Sequence, residues 1–256
     1  MKTDILKTLE HSTNLIISPD MDGFMTAKLI ERFNGSKIVG SYDKNLLCLA
    51  DGIDPEECLF VDCDMNREKF VSLGNHMRLI EDGMSSKSFN PNVHFGVKTY
   101  SDKFPFASAF LISFATEVVL SSEDLIRMAF ADSTLKNMEK YEHNMRNWST
   151  RMDHPAVKYI MDNSDIAKDN DKKARFEYVD QSFTSKRYGK TRYIDTLNKA
   201  LAGQQMNFEP LVQGIKYTSD KVGIETVIRY NKDILSYAEI FTGEYSVTYD
   251  QKKEWT

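Results

Sequence analysis

NLIISPDMDGFMTAKLIERF, residues Asn14 to Phe33, is the stretch on which the fold turns. Leu15, Ile16 and Ile17 form a short apolar run that stops at Ser18-Pro19. Asp20 and Asp22 follow with one residue between them, and Gly23 lets the chain turn. Met25, Leu29, Ile30 and Phe33 then recur at the spacing of one helix face. The pattern is a strand, an acidic loop and a helix. In open α/β sheets, ligands bind beyond the carboxyl ends of the strands, where these carboxylates fall. Two hard oxygen donors so close suit Mg²⁺ or Mn²⁺. A solvated Asp-Gly turn has the same local sequence, so the remainder of the chain decides between them.

Upstream, residues 1–14 are mixed in charge and helix-like and have no apolar core of a signal peptide. Downstream, Lys37 to Tyr42 reads as a second strand, and Asp43 to Ala50 as helical or irregular. Cys58-Leu59-Phe60-Val61 is a buried-looking strand that ends in Asp62-Cys63-Asp64. Lys69 to Leu73 is a further strand running into Gly74-Asn75-His76. An apolar helix spans about Phe106 to Val119, and Ser122-Glu123-Asp124 caps another that runs to Phe130, just before Asp132. Strands alternating with helices predict an α/β fold with a mainly parallel sheet flanked by helices.

From Tyr141 the chain turns polar, and residues 151–175 read as a linker. Strand-like segments follow, among them Gly214 to Tyr217, Val222 to Tyr230, Ile234 to Phe241 and Glu244 to Tyr249, with Thr242-Gly243 as a hairpin turn. The expected organisation is a metal-binding domain over 1–150 and a smaller β-rich α+β lobe over 176–256. Lys186 to Tyr193 is the best basic-aromatic cluster, in which Arg187 and Arg192 could take phosphate oxygens in bidentate fashion. A solvated loop has the same composition.

Composition frames these readings. The chain has 256 residues, 41% hydrophobic and 28% charged, with no apolar run long enough for a membrane span. Cys48, Cys58 and Cys63 form neither a disulfide framework nor a zinc motif, which fits a reducing cytoplasm. A net charge of −5 argues against a protein that lives on the nucleic-acid backbone, although a local basic groove is compatible with it.

The order Asp20/Asp22, Asp62, Asn75/His76 and Asp132 resembles the DHH phosphoesterase superfamily, which includes exonucleases, oligoribonucleases and family II inorganic pyrophosphatases. Asp20, Asp22 and Gly23 are similar to its DxDG motif, Asp62 to the Asp that ends a strand, and Asp132 to the Asp after an apolar helix. Gly74-Asn75-His76 stands where the family has Asp-His-His. Asn90-Pro91 and Phe106-Ala107-Ser108-Ala109 also look similar. The resemblance covers roughly residues 12 to 140 and implies a DHH-like domain.

It further implies a Mn²⁺ or Mg²⁺ site on Asp20, Asp22, Asp62, Asn75 and Asp132, with Asp62 bridging and His76 facing the substrate. The activity implied is hydrolysis of a phosphodiester or phosphoanhydride bond in a nucleotide or short single-stranded oligonucleotide. Gly74 and Asn75 depart from the family triplet, and no glycine-rich substrate motif follows. A catalytically inactive module that binds a nucleotide, nucleic acid or protein partner is therefore the alternative. The Asp20-Met21-Asp22-Gly23 loop also resembles the haloacid-dehalogenase phosphatases, but Phe24 follows and no later paired acidic motif is found. The sequence leaves the oligomeric state unspecified.

Overall fold

The Leu15–Ile17 run becomes β1 (Asn14–Ile17), with all three apolar side chains fully buried. The computed structural model describes residues 1–11, 13–44, 47–78, 83–165, 206–209, 215–218 and 234–249. Within them, β1 is joined by β2 (Lys37–Tyr42), β3 (Leu47–Ala50), β4 (Leu59–Val61), β5 (Val71–Leu73) and β6 (Met206–Glu209) in the order β5-β4-β1-β2-β3-β6. β1 runs parallel to β2 and β4, and β4 parallel to β5, whereas β2–β3 and β3–β6 are antiparallel. The sheet is thus mixed and mostly parallel. The Asp43–Ala50 stretch, expected to be helical or irregular, contributes β3 instead. Pairing on both sides, with β2 and β6, supplies the backbone partners that local pattern cannot reveal.

Side chains alternate across a strand, and β1 is apolar on both faces. Leu15 and Ile17 enter one cluster and Ile16 another. The first cluster takes the apolar faces of α1 (Lys2–Leu9), α2 (Met21–Asn34), α4 (Ser108–Thr116), α5 (Ser122–Phe130), α6 (Thr134–Met152) and α7 (Pro155–Asp162). The four-residue α3 (Pro91–His94) lies between β5 and α4. The second cluster joins Ile16, Val39, Tyr42, Phe60, Phe70 and Leu235. Burying each large aliphatic side chain stabilises by about 1.5–3 kcal/mol, so a strand apolar on both faces anchors the fold from the centre.

Asp20 is the N-cap of α2 and accepts the Gly23 N–H at 2.9 Å, while Gly35 ends the helix at φ +77°. A Cβ on Gly23 would lie 2.1 Å from the Ser18 carbonyl oxygen, so the loop closes only with glycine there. Phe33, expected on the apolar face, is 42% exposed in the final turn of α2, although Met25, Leu29 and Ile30 are buried. Residues 155–162, inside the expected linker, form α7 with Val157 and Ile160 fully buried. Charge count in this stretch concealed a narrow apolar face.

A separate antiparallel sheet has the order β7-β9-β8, with β7 (Ile215–Thr218), β8 (Ile234–Phe241) and β9 (Glu244–Tyr249). β8 and β9 match the expected strands, and Gly243 makes the turn at φ +77°. The segment Val222 to Tyr230 lies outside the described residues. β8 docks on the main sheet's loops: the Asn66 N–H donates to the Leu235 carbonyl at 2.7 Å, and the Glu239 N–H to that of Met77 at 3.0 Å. Tyr42 and Ser236 hydroxyls pair at 3.0 Å, and the Arg78 guanidinium lies 4.6 Å from the Tyr237 ring centroid. Among the described residues no helix is long and apolar enough to cross a membrane.

Candidate functional site

β1, β4 and β5 are adjacent and parallel, so their carboxyl ends open on one edge of the sheet. The chain leaves β1 towards β2 on one side and returns to β4 on the other, which makes the β1/β4 boundary a topological switch point. Asp20 and Asp22 follow β1, Asp62 follows β4, and Gly74-Asn75-His76 follows β5. Asp132 comes from a short 3-10 turn, Ala131–Ser133, between α5 and α6.

These carboxylates sit within electrostatic reach of one another. Burial raises the Asp62 carboxyl well above the usual range, and Asp22, Asp20 and Asp132 raise it further against the Ser108 hydroxyl's bond. Burial, then Asp132 and Asp20, push Asp22 up to about 7. Asp20 is also raised, first by burial and then by Asp132, although the bonds from Gly23 and Ser18 oppose the shift. Like charges that close disfavour joint ionisation of Asp20, Asp22 and Asp62.

Local hydrogen bonds fix the carboxylates. Asp22 accepts the backbone N–H groups of Ser108 at 2.6 Å and Ala109 at 3.1 Å, and the Thr26 hydroxyl at 3.0 Å. It therefore caps α4, whose own N-cap residue Ala107 has no side chain able to do so. Ser108 ties two motifs together, because its hydroxyl donates to Asp62 at 2.9 Å. Asp62 and Asp132 hold left-handed backbone at φ +55° and +49°, as does the cleft residue Lys44 at φ +74°. Such conformations cost energy in non-glycine residues and concentrate at functional sites.

Asn75 is 1% exposed and donates to the Phe106 carbonyl at 3.1 Å and to Asp132 at 3.3 Å. Its amide oxygen is buried with no hydrogen-bond partner among the described residues. An unpaired buried acceptor costs about 1–3 kcal/mol, so a donor or cation there would be stabilising. His76 is oriented by a buried carboxylate: Asp64 accepts both the His76 N–H at 3.1 Å and Nδ1 at 2.9 Å. Asn90 donates to the other Asp64 oxygen at 2.6 Å. Burial alone would raise Asp64, but the His76 bond and the charges of His76 and Arg78 outweigh it and hold Asp64 low.

A cavity of about 220 Å³ opens beside these groups, lined by Ser18, Asp20, Lys44, Asp62, His76 and Tyr237 among others. Lys44 brings positive charge to an otherwise acidic wall. Cys63 also lines it, but burial and then Asp62 push its thiol well up, which opposes a nucleophilic role.

The donors match a hard divalent cation in kind: carboxylate oxygens and one unpaired amide oxygen. Among the described residues, however, no three His, Cys, Asp or Glu side chains are drawn together as a formed metal cage. Asp22 in particular already spends its oxygens on α4. The structure brings Asp20, Asp22, Asp62, Asn75, His76 and Asp132 to one edge; Arg187 and Arg192 lie outside the described residues. Sequence reasoning passed over Asp64, although Asp62-Cys63-Asp64 repeats the spacing of Asp20-Met21-Asp22. It also missed Lys44, Tyr42 and Tyr237, which carry no motif. No family model matches the chain, and no curated protein or solved structure matches it either.

Proposed function

We propose that this cleft hydrolyses a phosphodiester or phosphoanhydride bond of a nucleotide or short oligonucleotide with the help of Mn²⁺ or Mg²⁺, in a domain of the DHH type. The observation that carries the reading is the mutual approach of Asp20, Asp22, Asp62 and Asp132 from separate chain segments, with Asn75 bonded to Asp132 and its amide oxygen unpaired among the described residues. Asp22 and Asp62 are buried, with Asp20 half-buried and Asp132 exposed beside them, and like charges so placed are costly unless a cation neutralises them. Asp20, Asp62, Asp132 and the Asn75 oxygen would hold the ion, with Asp22 contributing charge from its place at the head of α4. When bound, such an ion stabilises charge on phosphoryl oxygens and lowers the pKa of water.

The chain's own residues supply the rest. Lys44 offers a positive charge to a non-bridging phosphate oxygen. His76, held at Nδ1, presents Nε2 to the cleft as a proton donor or acceptor for the group that leaves or attacks. Tyr237 from β8 and Tyr42 from β2 line the cavity beside these groups.

Mn²⁺-dependent hydrolysis of p-nitrophenyl phosphodiesters, cyclic dinucleotides, short RNA and DNA, and pyrophosphate tests the reading, with Asp62→Ala as control. Turnover of one class that Asp62→Ala abolishes supports it; equal rates in parent and variant refute it. The second reading is an inactive module that retains ligand binding. It is favoured by the neutral Asn75 and by the hydrogen bonds that occupy Asp22. Binding of a nucleotide without turnover in the same panel would select it.

A further inference from the structure

We infer that Asp64 is the positioning residue for His76, and that Gly74 is glycine because its side-chain space is taken by the Asp64 carboxylate. The inference extends the hydrolase reading of the cleft, and its structural half stands without that reading. A Cβ built on Gly74 would lie 2.4 Å from Asp64 Oδ2 and 2.5 Å from Asp64 Cγ, with the Cys63 carbonyl oxygen also at 2.5 Å. An acidic residue at position 74 is therefore sterically excluded while Asp64 is in place. The carboxylate reaches this spot from the β4 side, two residues beyond Asp62.

From there one oxygen, Oδ2, takes both the backbone N–H and the ring Nδ1 of His76. The other oxygen takes the Asn90 amide at 2.6 Å, and the same Asn90 amide donates to the His76 carbonyl at 2.8 Å. Asn90 is itself fixed, since its oxygen caps α3 through Asn92 N–H at 2.8 Å. The result is a buried chain from α3 through Asn90 and Asp64 to the imidazole. An ionised carboxylate only accepts hydrogen bonds, so Nδ1 carries a proton, and in the neutral form of the ring Nε2 is the unprotonated nitrogen. Asp64 lines the cavity beside His76, and among the described residues it makes no hydrogen bond to the proposed cation ligands; it acts through His76.

Leucine at 64 keeps a similar branched shape but offers no acceptor, so nothing holds the ring proton at Nδ1 and the ring reverts to the Nε2–H form. The experiment is imidazole ¹⁵N–¹H correlation spectroscopy of full-length protein, with His76→Gln to assign the signals, in the parent and in Asp64→Leu. The parent should show the Nδ1–H form of His76, and Asp64→Leu the Nε2–H form. An Nε2–H form in the parent, or an unchanged Nδ1–H form in a folded Asp64→Leu, overturns the inference. If Asp64→Leu does not fold, the parent spectrum still decides.

Where hydrolysis is found, kcat of Asp64→Leu should fall about 100-fold or more with KM changed little, as loss of a correctly protonated acid–base group requires. A wild-type protein that turns over nothing in the substrate panel removes the hydrolase reading but leaves the spectroscopic result to judge Asp64.

Discussion

The acidic cleft sets a stability profile whose sign can be worked out before any assay. Asp22 is 2% exposed and is pushed from the ordinary 3.8 to about 7 by burial and by Asp132 and Asp20. A carboxyl whose folded pKa exceeds its unfolded one binds its proton more tightly in the native state. Native protein is then favoured at low pH and loses that advantage as pH rises from about 4 to about 7. At about 1.4 kcal/mol for each tenfold change in proton affinity, the Asp22 shift alone corresponds to a loss on the order of 4 kcal/mol by pH 8. Asp62 and Asp20 act in the same direction.

Two partly desolvated histidines oppose this trend. Burial lowers His154 and His94, so their contribution is present at high pH and is lost as pH falls through about 6.5. The informative quantity is thus the difference between the parent and Asp22→Asn, measured by denaturant unfolding with chelator from about pH 5 to about pH 8. Asp22→Asn carries a pH-independent penalty of about 1–3 kcal/mol, because its NH₂ faces one of the α4 N–H donors. Its profile should nevertheless fall less steeply, by about 2–4 kcal/mol across the range. Millimolar Mg²⁺ should restore the parent at about pH 8 more than at about pH 5, since protons and cation compete for the same oxygens. Parallel profiles for parent and variant would refute the account of the cleft.

Asn75→Ala should lower stability by about 1–3 kcal/mol, because the buried Phe106 carbonyl loses its donor, and should weaken Mn²⁺ binding about tenfold in calorimetry. Gly23→Ala forces a Cβ onto the Ser18 carbonyl oxygen, so unfolding should come at least about 1–3 kcal/mol earlier, with Asp20 and Asp22 displaced and Mn²⁺ affinity lost together. Tyr42→Phe removes the bond to Ser236 and should cost about 0.5–1.5 kcal/mol, with faster amide exchange at Glu239, whose N–H bonds Met77.

The class of fold was legible from short-range pattern. Leu15–Ile17, Lys37–Tyr42 and Leu59–Val61 are apolar strands bounded by turn residues, and the helix after Gly23 has its own cap and stop in Asp20 and Gly35. Such features are local, because periodicity and capping act over a few residues. Phe33 shows where the reading fails: periodicity names a face but does not say how far a core extends along it. β3 was missed for a related reason, since its strand character comes from partners at β2 and, far along the chain, at β6.

The Asp residues of the site were nameable one by one from their places after apolar elements. Their mutual electrostatics were not, because the shifts arise from approach in space between residues 20, 22, 62 and 132. Likewise the use of Asp22 as a cap for α4 depends on packing 86 residues along the chain, and Asp64 was hidden because its partner His76 is set by the β4–β5 pairing. Sequence alone determined most of the elements and the chemistry of the donors, for these depend on side chains and near neighbours. Only the tertiary structure decided which donors meet, which are already spent on backbone, and which, like the Asn75 oxygen, are left open among the described residues.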